Sequence, residues 1–308
     1  MKVANEVLAF YTKKVLIFAI SMFFAAGLIF FVISLTPGNI ADIHGLSPTT
    51  AASLHLDKNI FSRFLLWTYN AFTLNFGPSL ANGTQVTELI FDYAPTTIQL
   101  AIGSLVFSLL LSVPLAIVFA LYPHNKWARL SSTLVYALSS LPVFVVAFII
   151  LALIFNLLHI YPLDPPTENA PFWHILFYQF LPMIVLGVGN GTLGEFVRLL
   201  QLEIENTNQA LYIKSARARG AFLFPHFFRP VLLSFITILV SRFAILLGGV
   251  IVVERIFNRR GLGWLTWEST LNRDFFVLMG VAFLTVLVIR IFILAQEIII
   301  YQLDPRRR

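Results

Sequence analysis

Six stretches of this chain, roughly residues 15–35, 97–122, 131–158, 173–194, 231–253 and 276–301, are apolar over about the length a helix needs to cross a hydrocarbon layer. A bilayer core about 30 Å thick takes about 20 residues of helix. No period-2 alternation offers strands instead, and in hydrocarbon every backbone N–H and C=O must be satisfied inside the segment, which leaves helices. Composition agrees: 58% of the residues are hydrophobic and 12% charged, against about 45–50% and about 25% in a soluble domain. The fold class is therefore all-α, a polytopic membrane protein with about six transmembrane helices, and no polar linker divides it into soluble domains.

The first run follows Lys13 and Lys14. It is longer than a signal-peptide core and is not followed by a small-residue cleavage site, so it is expected to remain as the first helix. An even number of spans puts both termini on one side. Of the 21 lysines and arginines, 13 fall in segments on the terminal side, six in the loops opposite, and two, Arg242 and Arg290, inside apolar runs. Cytoplasmic loops carry the excess of Lys and Arg, so both termini are expected in the cytoplasm; the run Arg255 to Arg260 opposes the pattern locally. In the outer region between the first two spans, Phe61 to Phe76 mixes Phe, Leu and Trp with Arg and Asn at helical spacing and reads as an interfacial helix. The longest inner loop runs from about Glu195 to Arg229. Within it Asn206 to Gly220 reads as a helix, small or apolar at Ala210, Ile213, Ala216 and Ala218 and basic at Lys214, Arg217 and Arg219.

Several function classes fall away. A formal charge of +6 suggests nucleic acid in a soluble protein, but here the basic residues sit between apolar segments. The absence of cysteine removes disulfides, thiolate metal sites and cysteine nucleophiles together. Gly189-Asn190-Gly191-Thr192-Leu193-Gly194 matches the G-x-G-x-x-G pattern formally, yet that motif works at a strand-to-helix turn, whereas these glycines close a membrane helix where small residues favour tight packing. The histidines (His44, His55, His124, His159, His174 and His226) include no pair at helical ligand spacing, and no catalytic set of polar residues is recognisable. Arg242 and Arg290 fall near the middles of the fifth and sixth runs, where a lipid-facing arginine costs about 2.5–3.5 kcal/mol. Each is expected to face the bundle or a pathway, with Glu297 on roughly the same face as Arg290. Two readings stay open: buried, paired charges that hold the bundle, or a candidate translocation pathway in which Arg242 favours anionic or zwitterionic cargo.

The inner loop reads Tyr212-Ile213-Lys214-Ser215-Ala216-Arg217-Ala218-Arg219-Gly220, then His226, Arg229 and Pro230. It resembles the cytoplasmic signature of ATP-binding-cassette importer permeases, in particular the oligopeptide, dipeptide and nickel permease family. Further stretches agree in family order: Thr36-Pro37-Gly38; Asn75-Phe76-Gly77-Pro78-Ser79 with Ala94-Pro95-Thr96-Thr97; Glu254-Arg255-Ile256-Phe257 running into Gly261-Leu262-Gly263; Leu271-Asn272-Arg273-Asp274; and Leu303-Asp304-Pro305-Arg306. The resemblance covers nearly the whole chain. It departs from the pattern in a loop about four residues shorter between Gly220 and His226, close to one helical turn, and in Ser234 where a proline usually opens the fifth helix.

The resemblance implies an importer permease subunit without an ATPase site of its own. No G-x-x-x-x-G-K-[ST] phosphate loop occurs, so ATP is used by partners and no cofactor is bound by this chain. The implied partners are a second homologous permease, two cytoplasmic ATPase subunits, an extracytoplasmic solute-binding protein and membrane lipid, with no nucleic acid. The implied location is a bacterial-type cytoplasmic (inner) membrane. Its organisation is a cytoplasmic N-terminus and peripheral first helix (1–36), an extracytoplasmic loop (37–94), a five-helix permease core (95–302) with the coupling loop at about 195–230, and a basic tail (303–308). Lys214, Ser215, Ala216, Arg217, Arg219 and Gly220 are then the residues that couple to an ATPase. Small side chains at Ser215, Ala216 and Gly220 would let the helix sit close to the partner, Gly220 would take the positive φ that ends a helix, and the arginines would secure the rim. The plainer alternative is that the basic residues only hold the loop inside. Cargo is left between peptides and nickel chelates. An ion-gradient secondary transporter is the competing class, against which stand the lack of an internal repeat and of intramembrane acids.

Overall fold

The structure is a computed structural model that describes residues 2–36, 45, 47–159, 165–167, 170–222 and 224–303. His44, Pro37, Gly38 and the tail from Asp304 lie outside the described residues, as do the side chains of His226, Arg229 and Pro230. The described residues form twelve helices and no strand: α1 (Lys2–Ser34), α2 (Pro48–Ser53), α3 (Ile60–Phe72), α4 (Val86–Leu121), α5 (Lys126–Ser139), α6 (Val143–Leu158), α7 (Phe172–Val188), α8 (Thr192–Gln209), α9 (Leu211–Ala218), α10 (Phe224–Ile256), α11 (Leu262–Leu271) and α12 (Phe275–Leu303). Four helices are long and apolar enough to cross a membrane: α1, α4, α10 and α12. The number rises to six if α5 with α6, bent by 108°, and α7 with α8, bent by 53°, are each one span.

Both bends correct the sequence expectation of continuous helices over 131–158 and 173–194, and both have local causes. Pro142 is the N-cap of α6, and the residue before a proline is pushed out of the helical region, so α5 ends at Ser139. In the second pair Asn190 (φ +51°) and Gly191 (φ +76°) are left-handed, a conformation that interrupts a right-handed helix. The Asn190 side-chain oxygen accepts the free N–H of Val143 at 3.1 Å, which caps one break with a residue of the other. Gly189 sits against Val143, where an added Cβ would meet the Val143 Cα at 2.9 Å.

The chain divides into two compact units, one of residues 1–95 and 264–298, the other of 96–263 and 299–307. In the first, aromatic rings pack α3 onto α1: Phe64 lies 5.6 Å from Phe30 and 5.3 Å from Phe31. Trp67 meets Phe283 edge-on at 5.9 Å, and Gly280 leaves room for Phe76, Val86 and Ile90. The helix expected at Phe61 to Phe76 is α3, which ends at Phe72, with Phe64, Trp67 and Ala71 buried and Phe61, Leu65 and Tyr69 exposed.

In the second unit α6, α7 and α10 share a core of Val143, Val146, Ala147, Leu181, Val185, Leu186, Leu246, Val250, Val253 and Phe257. Small residues bring α4 and α7 together. Ser108 donates from Oγ to the Gly187 carbonyl at 2.8 Å, and a side chain at Gly187 would collide with Ser108, the close approach that small residues permit in membrane helices.

Candidate functional site

Among the described residues, four of the family-like stretches form two knots, one in each unit. In the first unit Ser79 donates from Oγ to Asp274 Oδ2 at 2.5 Å, both groups buried, and Asp274 Oδ1 accepts from the Val277 N–H at the start of α12, 3.3 Å. In the second, Glu254 is fully buried and accepts from Thr97 Oγ1 at 2.6 Å. The Leu262 N–H donates to the same Thr97 oxygen at 2.7 Å. Gly261 is required beside it, since a side chain there would run into the Glu254 carboxylate. Arg259 is 5% exposed; its guanidinium lies 4.4 Å from the centre of the Tyr178 ring and donates to Gln99 at 3.2 Å. Part of the basic run that opposed the charge pattern is thus committed to packing.

The predicted inner helix is divided. The structure continues α8 to Gln209, through what the sequence reading took as the start of a loop, turns at Ala210, and forms α9 over Leu211–Ala218. Arg217 Nη2 donates to Asn208 Oδ1 at 2.7 Å, tying the two helices. The C-terminus of α9 is closed by Gly220 at φ +67°. The Gly220 N–H reaches the Arg217 carbonyl and the Ala221 N–H the Ala216 carbonyl, both at 3.0 Å. This is the 5→2 and 6→1 pair that ends a helix on a left-handed residue.

Lys214, Ser215, Arg217 and Arg219 are exposed, and Arg219 Nε donates to the Ser215 carbonyl at 3.2 Å. Ala216, by contrast, is fully buried together with Ile213, so this face of α9 is already covered by the chain itself. Sequence reasoning missed the apolar part of the exposed surface: Leu211 and Phe222 are 81% and 77% exposed, and Tyr212 is exposed as well.

Arg242, in α10, is mostly buried, and its Nη2 lies 3.4 Å from Glu195 Oε2 of α8. Its Nε is buried with no acceptor. Glu195 lines a cavity of about 590 Å³ with Tyr136, Ser139, Ser140, Gly191, Gly194, Arg198, Gln201 and Leu202. Both helix breaks contribute to this lining. Tyr136 donates to Gln201 at 3.0 Å and Gln201 to Glu205 at 2.9 Å, whereas Arg198 is exposed and makes no hydrogen bond or ion pair among the described residues.

Arg290 belongs to the first unit. Its Nε is buried without an acceptor, and Glu297, expected on its face, pairs instead with Lys14 at 2.8 Å. The signal that would have found the cavity residues is Glu195 and Arg198, three apart, directly after a Gly-Asn-Gly break. Among the described residues no group of three or more His, Cys, Asp or Glu is placed to hold a metal ion.

The nickel import system permease protein NikB of Staphylococcus aureus strain USA300, and that of strain NCTC 8325 / PS 47, are each 29% identical to the chain over 303 residues, covering 93% of the chain and 88% of the relative. The protein of the same name in the bovine strain RF122 / ET3-1 is 29% identical over 305 residues with the same coverage. Residues 112–308, well over half of the 308, match the family described as binding-protein-dependent transport system inner membrane component. The chain, with its helical spans and its short helix at the end of α8, belongs to that family and is the permease component of a binding-protein-dependent importer.

Proposed function

We propose that this permease forms half of a pore driven by two separate cytoplasmic ATPase subunits, and that α9 is the element an ATPase grips. The observation that carries the reading is the division of labour within α9. Ile213 and Ala216 are buried and anchor the helix, while Lys214, Ser215, Arg217, Arg219 and the apolar Leu211, Tyr212 and Phe222 face outward. A mixed apolar and basic surface on a short, capped helix suits a protein groove better than either hydrocarbon or water. A second homologous permease completes the pore, both termini lie in the cytoplasm, and a solute-binding protein delivers cargo from the other side. ATP is hydrolysed by the partners and no cofactor is held by this chain. The cargo class is peptides or nickel chelates; the relatives named for nickel import support the second, and the sequence pattern shared by peptide and nickel permeases supports both.

The chain has no native cysteine, which makes the test direct. With Ser215→Cys or Tyr212→Cys as the sole thiol, a bifunctional thiol reagent in native membranes is expected to join the permease to an ATPase subunit, with a yield that changes when nucleotide is added. Labelling of either cysteine by an impermeant reagent from outside intact cells would overturn the assignment.

A further inference from the structure

The cavity between the two helix breaks has a charge arrangement that coupling does not use. Arg242 lies near the middle of the apolar part of α10, Val231–Ile256, and Glu195 touches it, so the cavity lies beside the middle of that apolar stretch. Glu195, Arg198 and Gln201 all line it from one face of α8. Charged groups at this depth are costly in hydrocarbon and mark pathways or binding sites. At about 590 Å³ the cavity is within the usual range for small-molecule sites, about 300–1,000 Å³.

The ionic partners are incompletely used. The Glu195–Arg242 pair is long, at 3.4 Å, and Glu195 remains 40% exposed. Only Glu195 Oε2 is engaged, Arg198 is exposed and makes no hydrogen bond or ion pair among the described residues, and Arg242 Nε has no acceptor. The lining therefore offers one free carboxylate oxygen and one free guanidinium on the same helix, separated by more than an ion-pair distance. Together with Arg242 there are two cations to one anion, a balance that disfavours a bare divalent cation and favours a solute bearing a carboxylate.

We propose that this cavity is a zwitterion-binding site in the translocation path, in which Arg198 takes the cargo carboxylate by charge-assisted hydrogen bonds and the free oxygen of Glu195 takes its ammonium group. Arg242 is a positioning residue that holds Glu195. The site rests on the permease reading above and assigns roles within it. Tyr136, Ser139 and Ser140 line the cavity from α5 and the turn after it, with the Tyr136 hydroxyl bonded to Gln201.

The test uses the purified complex of permease and partner subunits in nanodiscs without the solute-binding protein, with dialanine, its C-terminal amide and aqueous Ni²⁺ as probes. Wild type is expected to bind dialanine saturably and the amide at least about tenfold more weakly, since the amide lacks the charge that Arg198 meets. Arg198→Gln is expected to weaken dialanine binding about tenfold or more and to leave the amide nearly unchanged. The charge exchange E195R/R242E separates positioning from support: it is expected to restore thermal stability lost in either single variant but not dialanine binding. No saturable dialanine binding by wild type, equal binding of dialanine and amide, tighter binding of Ni²⁺ than of dialanine, or full recovery of binding in the exchange variant would each overturn the site. A complex that assembles with its ATPases yet gives one of those results sinks the site alone, whereas a chain that co-purifies with no ATPase sinks the permease reading.

Discussion

The knot around Glu254 and the α9 loop use similar residues to opposite ends. At the knot a carboxylate is fully buried and bonded to Thr97, and Arg259 is buried against Tyr178. On α9 Lys214, Arg217 and Arg219 face outward and make at most local bonds. A charge that is fully enclosed must be satisfied within the chain, because an unpaired buried ion costs several kcal/mol; a charge left in water is free to meet something else. Burial separates the charges that the chain satisfies itself from those it leaves open, and residue type alone does not.

That contrast can be broken at several points. The largest effect is expected at Glu254→Ala, which strips the Thr97 hydroxyl and its surroundings of their buried acceptor. Removing one partner of a buried charged network costs about 3–5 kcal/mol, so the yield of folded protein in detergent and its melting temperature should collapse, and retention of a wild-type melt would show that the knot is dispensable. Next comes Ala216→Leu. Overfilling a fully buried position costs about 1–3 kcal/mol; the effect should stay local to α9, so that the chain inserts normally while cargo-stimulated ATP hydrolysis is lost. Gly220→Ala follows, with a cost of about 1 kcal/mol for a side chain in the left-handed region. Partial loss of coupling is expected there, and Gly220→Asn should recover much of it because Asn tolerates that conformation. The smallest effect belongs to Lys214→Ser. Stability should not move, and association with the ATPase should weaken a few-fold at low salt and converge with wild type at high salt as screening removes the charge term. If Lys214→Ser lowered the melting temperature as much as Ala216→Leu, the distinction drawn from burial would be wrong.

The sequence made the spans legible because long apolar runs have few alternatives in lipid, and the two bends escaped it for a different reason. Pro142 and the Gly189-Asn190-Gly191 stretch were visible, yet the glycines read equally well as packing residues. What fixes the break is the bond between Asn190 and Val143, which joins positions far apart along the chain. The same holds for Ser79 with Asp274, Thr97 with Glu254, and Glu195 with Arg242: each partner stood out or could have, but pairing across helices is not written in helical periodicity. On α9 the basic edge and the Gly220 turn were readable locally. The small residue at Ala216 reads in sequence as room for a partner to come close, whereas in the structure it is buried by the chain itself. The exposed Leu211 and Phe222 went unnoticed because apolar residues are unremarkable in so apolar a chain.

The amide of Asn190 has a mechanical meaning as well. By accepting the first N–H of α6 from inside the break that precedes α8, it clamps two elbows to one pin. A torque that reaches Gly191 along α8 must either carry the start of α6 with it or break a bond to a backbone group with no other cap. The two bent helix pairs are thus expected to move together rather than hinge apart.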